Sequence, residues 1–91
     1  MLLRQIQYFQ AVVNTGSFSE AAEHCHISQS AVSQQIKALE QELGVELLSR
    51  HNRTFSPTPA GTYFYRKSIV LLRDYDALCR ETIRLARNDH A

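Results

Sequence analysis

Two helix start signals, Ser17 and Ser28, stand eleven residues apart, and a stop signal, Gly44, follows the second. This punctuation constrains the fold more than any other feature of the chain. Ser17-Phe18-Ser19-Glu20 reads as an S-x-x-E capping box, in which the serine hydroxyl accepts from the third helical N–H and the glutamate reaches back to the serine N–H. It predicts a short helix over about 18–25, with Ala21-Ala22 in its middle, small enough for another helix to approach closely. His26-Ile27 leaves room only for a tight connection before Ser28 caps a longer helix, which continues to about Leu43 and is closed by Gly44. Two helices joined by a turn of about three or four residues form a helix-turn-helix.

The flanks complete a small mainly α fold. Upstream, Leu2, Ile6, Phe9 and Val13 recur at helical spacing, predicting a helix over about Leu3 to Asn14 that stops at Thr15-Gly16. In the long central helix, Val32, Ile36, Leu39 and Leu43 form the core-facing stripe. Downstream, Glu46-Leu47-Leu48-Ser49-Arg50 and Thr54-Phe55-Ser56 are short β-compatible runs around a turn-like His51-Asn52-Arg53, giving a β-hairpin or wing. Thr58 caps the last element, and Pro59 takes its first position, where a missing N–H costs nothing. Nothing breaks this helix before about Asn88, a length of ~45 Å at 1.5 Å per residue. Its apolar residues fall in two neighbouring stripes, Phe64, Leu71, Tyr75, Leu78, Leu85 and Tyr65, Ile69, Leu72, Cys79, Ile83, Ala86. One stripe can pack on the first helix and the core. The other needs a partner, and a second copy of the same helix is the simplest one. Phe64, Tyr65, Leu71, Leu72, Tyr75 and Leu78 are therefore the expected dimerisation residues.

Composition limits the function classes. A chain of 91 residues fits one domain, burying roughly 60–65 % of its unfolded surface. No apolar run approaches the ~20 residues of a membrane span, and Arg4, Gln5 and Gln7 interrupt MLLRQIQYF, which does not read as a signal peptide. Two cysteines, Cys25 and Cys79, make no disulfide framework and read as reduced thiols of a cytoplasmic protein. Asn52-Arg53-Thr54 matches a glycosylation acceptor by chance in that setting. Net charge is only +1, but Arg50, Arg53, Arg66, Lys67 and Arg73 lie in an acid-free stretch between Leu47 and Arg73. A neutral chain with such a region is compatible with a phosphate-binding face.

The outer face of the central helix carries the functional signal. Gln29, Ser30, Ser33, Gln34 and Lys37 align at helical spacing, and no acid occurs from His24 to Leu39. Gln bonds bidentately to adenine, Ser reaches several base edges and lets a helix sit deep, and Lys reaches guanine or phosphate. The plainer reading is a solvated face without acids. Arg53, at the hairpin tip, suits a narrow minor groove. Arg50 and His51 can touch phosphate, or Arg50 is a surface residue paired with Glu46. Ser17 and Ser28 place helix N-termini where phosphate is favoured, although capping alone accounts for both.

Other chemistry finds no footing. His24-Cys25-His26 point in different directions at a helix end, and His51, Cys79 and His90 show no zinc spacing. Cys25 is better read as a small core residue. There is no Gly-rich phosphate loop, no nucleophile elbow and no acid cluster around a histidine, so no metal, cofactor or enzyme activity is expected. The competing reading is a winged-helix module that pairs only with other proteins.

Three runs then carry a resemblance: Gly16-Ser17-Phe18-Ser19-Glu20-Ala21-Ala22-Glu23, Ile27-Ser28-Gln29-Ser30-Ala31-Val32-Ser33-Gln34-Gln35-Ile36, and Leu39-Glu40-Gln41-Glu42-Leu43-Gly44-Val45-Glu46-Leu47-Leu48. With Arg50, Arg53 and Thr58-Pro59-Ala60-Gly61 they resemble, over essentially the whole chain, the N-terminal DNA-binding domain of LysR-type transcriptional regulators. The resemblance implies a winged helix-turn-helix over residues 1–58, with the helix-turn-helix at about 18–37 and the wing at about 46–57. A dimerising linker helix over 59–91 pairs antiparallel. It implies that Gln29, Ser30, Ser33 and Gln34 face the major groove, that Arg53 enters the minor groove, and that Ser28 and, by extension, Lys37 contact phosphate. Ser30 stands where the family often has Pro, Gln34 where it often has a basic residue, and Leu48 where it often has Phe, so its base preference does not carry over. Family members normally continue into a two-lobed effector-binding domain. The chain is thus expected to be an excised DNA-binding domain that binds double-stranded DNA as a constitutive homodimer, with a small-molecule effector acting only on a full-length parent.

Overall fold

The structure, a computed structural model, describes residues 1–51 and 54–88. Arg53, the expected wing-tip residue, lies outside them. The elements follow in the order α1 (Leu3–Thr15), α2 (Phe18–Cys25), α3 (Gln29–Leu43), β1 (Leu48–His51), β2 (Thr54–Pro57) and α4 (Pro59–Asn88). This is the winged helix-turn-helix with a long terminal helix that the sequence predicts.

The helix ends are built by short-range hydrogen bonds. Ser17 Oγ accepts from the Glu20 N–H at 3.1 Å, but the reciprocal half of the capping box is missing. The Ser17 N–H instead donates to Thr15 Oγ1 at 3.3 Å, and α1 ends at Thr15 with Gly16 as its left-handed cap, at the predicted Thr15-Gly16 stop. At the end of α2, His26 adopts a left-handed conformation at φ 59°. The His26 N–H donates to Glu23 O and the Ile27 N–H to Ala22 O. That is a Schellman closure, with Ile27 packed on the core as its apolar anchor. Ser28 Oγ then accepts from the Ala31 N–H at 3.1 Å and starts α3. One tight turn thereby fixes the angle between α2 and α3.

The core gathers one stripe from each helix. Phe9, Val12, Ala21, Val32, Ile36 and Leu39 are fully buried, and Leu47 and Leu48 nearly so. Three positions of the expected apolar stripes differ, the first being Leu2, which is the N-cap of α1 and 48 % exposed. Val12 is fully buried and Val13 only partly; periodicity alone favours Val13, at i+4 from Phe9, so the inward turn of Val12 is set by the packing of α2 and α3 on α1. Leu43, in the last turn of α3, is 38 % exposed. The wing is a two-stranded antiparallel hairpin with Ser49 opposite Ser56 and Arg50 opposite Phe55. Phe55 meets the Phe18 ring edge-on at 5.0 Å, which docks the wing on α2.

Helix α4 is seated by its first three turns. Thr58 Oγ1 accepts from the Gly61 N–H at 2.9 Å and donates to Glu46 O at 2.7 Å, joining the cap to the wing. Phe64 meets Phe9 edge-on at 5.5 Å. Gln10 Nε2 donates to Ser68 Oγ at 2.9 Å, and the Tyr65 hydroxyl donates to Asn14. The two apolar stripes foreseen for this helix are thus divided along its length rather than around it. Phe64 and Tyr65 lean on the domain's own core, while Leu71, Tyr75, Leu78, Ile83 and Leu85 project beyond it, each at least 46 % exposed. The molecule measures 60 × 26 × 20 Å because α4 outruns the domain it is anchored to.

Candidate nucleic-acid interface

Burying Val32, Ile36 and Leu39 turns the opposite face of α3 outward. Gln29, Ser30, Ser33, Gln34 and Lys37 are all exposed there, as is Ser28 at the helix start. The expected row is a continuous surface on one helix. Its first turn carries no acid, so the partial positive charge of the helix N-terminus is unopposed. Ser28 Oγ is used as the cap, and Ser30 Oγ lies 3.3 Å from it, so the two hydroxyls share one corner of that surface. Gln35 turns the other way, accepting from Gln5 Nε2 at 3.0 Å and bracing α3 against α1.

The acid nearest this face is covered. Glu40 Oε2 accepts the Leu47 N–H at 2.8 Å and the Leu48 N–H at 3.2 Å. Its other oxygen lies 3.8 Å from Arg50 Nη2, and the Glu40 side chain is only 11 % exposed. Arg50 therefore pairs with Glu40, not with Glu46 as the sequence suggested. Glu46 sits past the end of α3, whereas Glu40 lies one turn inside it, beside β1. The Arg50 guanidinium also lies 5.8 Å above the Phe18 ring. Between α3 and β1 runs an open cleft of about 560 Å3 whose lining includes Lys37, Gln41, Ser49, Arg50 and His51. His51 Nε2 and Ser49 Oγ are 2.7 Å apart along the strand. Helix face, cleft and wing strand together give a surface rich in hydrogen-bonding groups, and among the described residues Lys37 and the Glu40-paired Arg50 are the cations that line the cleft.

Among the described residues no three His, Cys, Asp or Glu side chains come together as metal ligands. No described helix is long and apolar enough to cross a membrane. Cys25, expected as a small core residue, is instead only half-buried at the end of α2, outside the buried core cluster, and burial pushes its thiol pKa up from the ordinary value; Cys79 is exposed on α4. At pH 8 iodoacetamide should therefore modify Cys79 well ahead of Cys25, because burial lowers both thiolate content and access. Peptide mapping by mass spectrometry over a time course checks the order.

Residues 3–62 match the family model described as bacterial regulatory helix-turn-helix protein, lysR family. The chain belongs to the LysR family. Among its LysR relatives, HTH-type transcriptional regulator BenM of Acinetobacter baylyi is 44 % identical over 86 residues, covering 94 % of this chain and 28 % of BenM. A probable RuBisCO transcriptional regulator of Cyanidioschyzon merolae is 43 % identical over 88 residues, covering 97 % of this chain and 28 % of that protein. The chain thus spans under a third of the length of these curated relatives. Among solved structures, a BenM_DBD/benA site 1 DNA complex superimposes with a TM-score of 0.90 at 44 % identity, covering 94 % of this chain and 97 % of that one. A CbnR_DBD–DNA complex gives 0.89 at 35 % identity, covering 94 % and 99 %. Of the three positions where the resemblance led one to expect a different residue, Leu48 is core, at 2 % exposure, whereas Ser30 and Gln34 both lie on the outward face of α3.

Three contributors to the site escaped the sequence reading: Glu40, the Gln5–Gln35 brace and the Phe18–Phe55 contact. Each joins residues distant in sequence, and no local pattern marks it.

Proposed function

We propose that this chain is the DNA-reading part of a bacterial LysR-type transcription regulator and that it binds double-stranded DNA sequence-specifically as a homodimer. The single observation that carries this reading is the exposed, acid-free row on α3. Gln29, Ser30, Ser33 and Gln34 meet base edges in the major groove, where uncharged donors and acceptors discriminate bases. Ser28, Lys37 and the free N–H groups at the start of α3 hold phosphates, and Arg53 enters the adjacent minor groove. Residues 1–58 form the reading domain, and 59–91 the linker helix whose residues Leu71, Leu72, Tyr75 and Leu78, flanked by Phe64 and Tyr65, pair with a second copy. Two-fold pairing presents two reading helices, so the site is an interrupted inverted repeat. The DNA complexes of BenM_DBD and CbnR_DBD support the reading by likeness of fold and sequence. Catalysis has no part in it, the setting is the cytoplasm, and effector sensing belongs to a longer parent protein.

Selection from a pool of random duplexes, followed by sequencing at several salt concentrations, tests the proposal. Enrichment of a two-fold repeat, bound less tightly as salt rises, is the expected outcome. Repeating the selection with Gln34→Ala should relax the preference at one position per half-site and leave the others unchanged. A pool that shows no enrichment even at low salt sinks the proposal and favours a protein-pairing role.

A further inference from the structure

Reading two grooves at once requires that the wing stand at a fixed distance and angle from α3. The hairpin has only two short strands, and an isolated two-stranded hairpin is marginal in water. Something must hold it. Along α3 the exposed row ends near Lys37, and the next acid, Glu40, is turned under the wing. One carboxylate oxygen takes two successive backbone N–H groups, those of Leu47 and Leu48, where the chain enters β1. The other faces Arg50, whose guanidinium lies over Phe18 of α2, and Phe18 in turn abuts Phe55 of β2. The Glu40 backbone carbonyl also closes α3, accepting from Gly44 and Val45. One residue therefore links the recognition helix, the loop after it, the start of the first strand and its third residue Arg50 and, through Arg50, the helix before it.

We infer that Glu40 is a positioning residue for DNA recognition: it touches no DNA, and it holds the wing in register with α3 so that minor-groove and major-groove contacts form together. A carboxylate beside a phosphate-binding surface would ordinarily repel DNA. Here two N–H groups bind one oxygen and the Arg50 guanidinium lies 3.8 Å from the other, so the carboxylate is turned inward and partly balanced one turn beyond Lys37. Glu42 and Glu46 lie nearby, and neither bonds to the strand backbone in this way; Glu42 pairs with the N-terminal amine. The inference rests on the DNA-reading assignment.

The test uses the 91-residue protein, its selected duplex, and Glu40→Gln, which keeps the shape but removes the charge and one acceptor. Glu40→Asp keeps the charge but is a methylene too short to reach both amides. Urea titrations give the folded fraction of each variant, and binding is expressed per folded molecule. The expected result is a loss of affinity of about tenfold or more, charge-assisted hydrogen bonds being the strong ones. It is accompanied by loss of hydroxyl-radical protection in the minor groove at the ends of the site. Dimethyl sulfate protection in the major groove under α3 persists. In an Arg53→Ala background, with the wing contact already gone, Glu40→Gln should change affinity by less than about twofold. The inference is overturned if both protections fade together, if folded variants bind like the parent, or if the Glu40 and Arg53 effects simply add. If the parent enriches no sequence at all, the DNA-reading assignment fails first and takes this inference with it.

Discussion

Leu78→Asp should turn the proposed dimer into a monomer and weaken binding to a two-fold site by roughly 10²–10³-fold, the gain that linked half-sites confer. Leu78 is 65 % exposed and is not among the residues packed on the core of its own protomer. The substitution therefore removes nothing from the monomer fold, and the melting temperature of the winged domain should stay within a few degrees of the parent. The case for a partner is physical. Leu71, Tyr75, Leu78, Ile83 and Leu85 are exposed on one helix. A contiguous apolar face of this kind is uncommon on a monomer and marks an interaction site. An aspartate at its centre would have to be buried unpaired in the dimer, at a cost no remaining leucine offsets. Sedimentation equilibrium reads the assembly state, and fluorescence anisotropy on the full site and on a half-site reads the affinity. Unchanged assembly and unchanged full-site affinity would place the partner surface elsewhere.

Gly61→Ala should cost about 3 kcal/mol, the upper range for overpacking a tight contact. In a domain of this size that lowers Tm by on the order of 15 °C. The reason is close approach rather than backbone freedom. A methyl group at residue 61 would stand 1.9 Å from the Leu47 carbonyl oxygen and 2.8 Å from its carbon. That carbonyl cannot swing away, because it accepts the Thr58 N–H at 3.0 Å and the Leu47 N–H is held by Glu40. Gly44→Ala provides the contrast. Its φ is +72°, yet a methyl group there would meet nothing within 4 Å, so only left-handed strain is incurred, about 1 kcal/mol. Thermal unfolding followed by circular dichroism should rank parent, Gly44→Ala and Gly61→Ala in that order. Equal losses for the two alanines would mean that α4 slides to relieve the clash.

Where the physics is local, the sequence and the structure agree closely. Ser17, Ser28, Gly44 and Thr58-Pro59 act within one helical turn of themselves, and each marks a helix end where the spacing predicted it. Arg50 is different. Its two candidate partners, Glu40 and Glu46, are equally acidic, and the choice depends on how β1 crosses α3, which no periodicity encodes. Gly61 reads as one more small residue in a helix until the Leu47 carbonyl is placed beside it. The apolar surface of α4 was legible as too large for one domain. Its division into a seated start and an overhanging end was not, because that depends on where α1 stops beneath it. At the candidate site, the row on α3 follows from helical geometry alone, whereas its support by Gln5, Phe18 and Glu40 is tertiary.

The central claim is that the outward face of α3 reads bases in the major groove. The most direct measurement takes the selected duplex and replaces its purines one at a time with 7-deaza analogues, which remove the N7 acceptor from the major groove and leave the minor groove intact. Binding should weaken about 5- to 150-fold at the purines opposite Gln29 and Gln34, as expected for losing base contacts of about 1–3 kcal/mol. For Gln34→Ala, the analogue at its own base pair should have no further effect. Should every deaza-substituted duplex bind like the parent, α3 does not read the major groove, and its polar face serves some other surface.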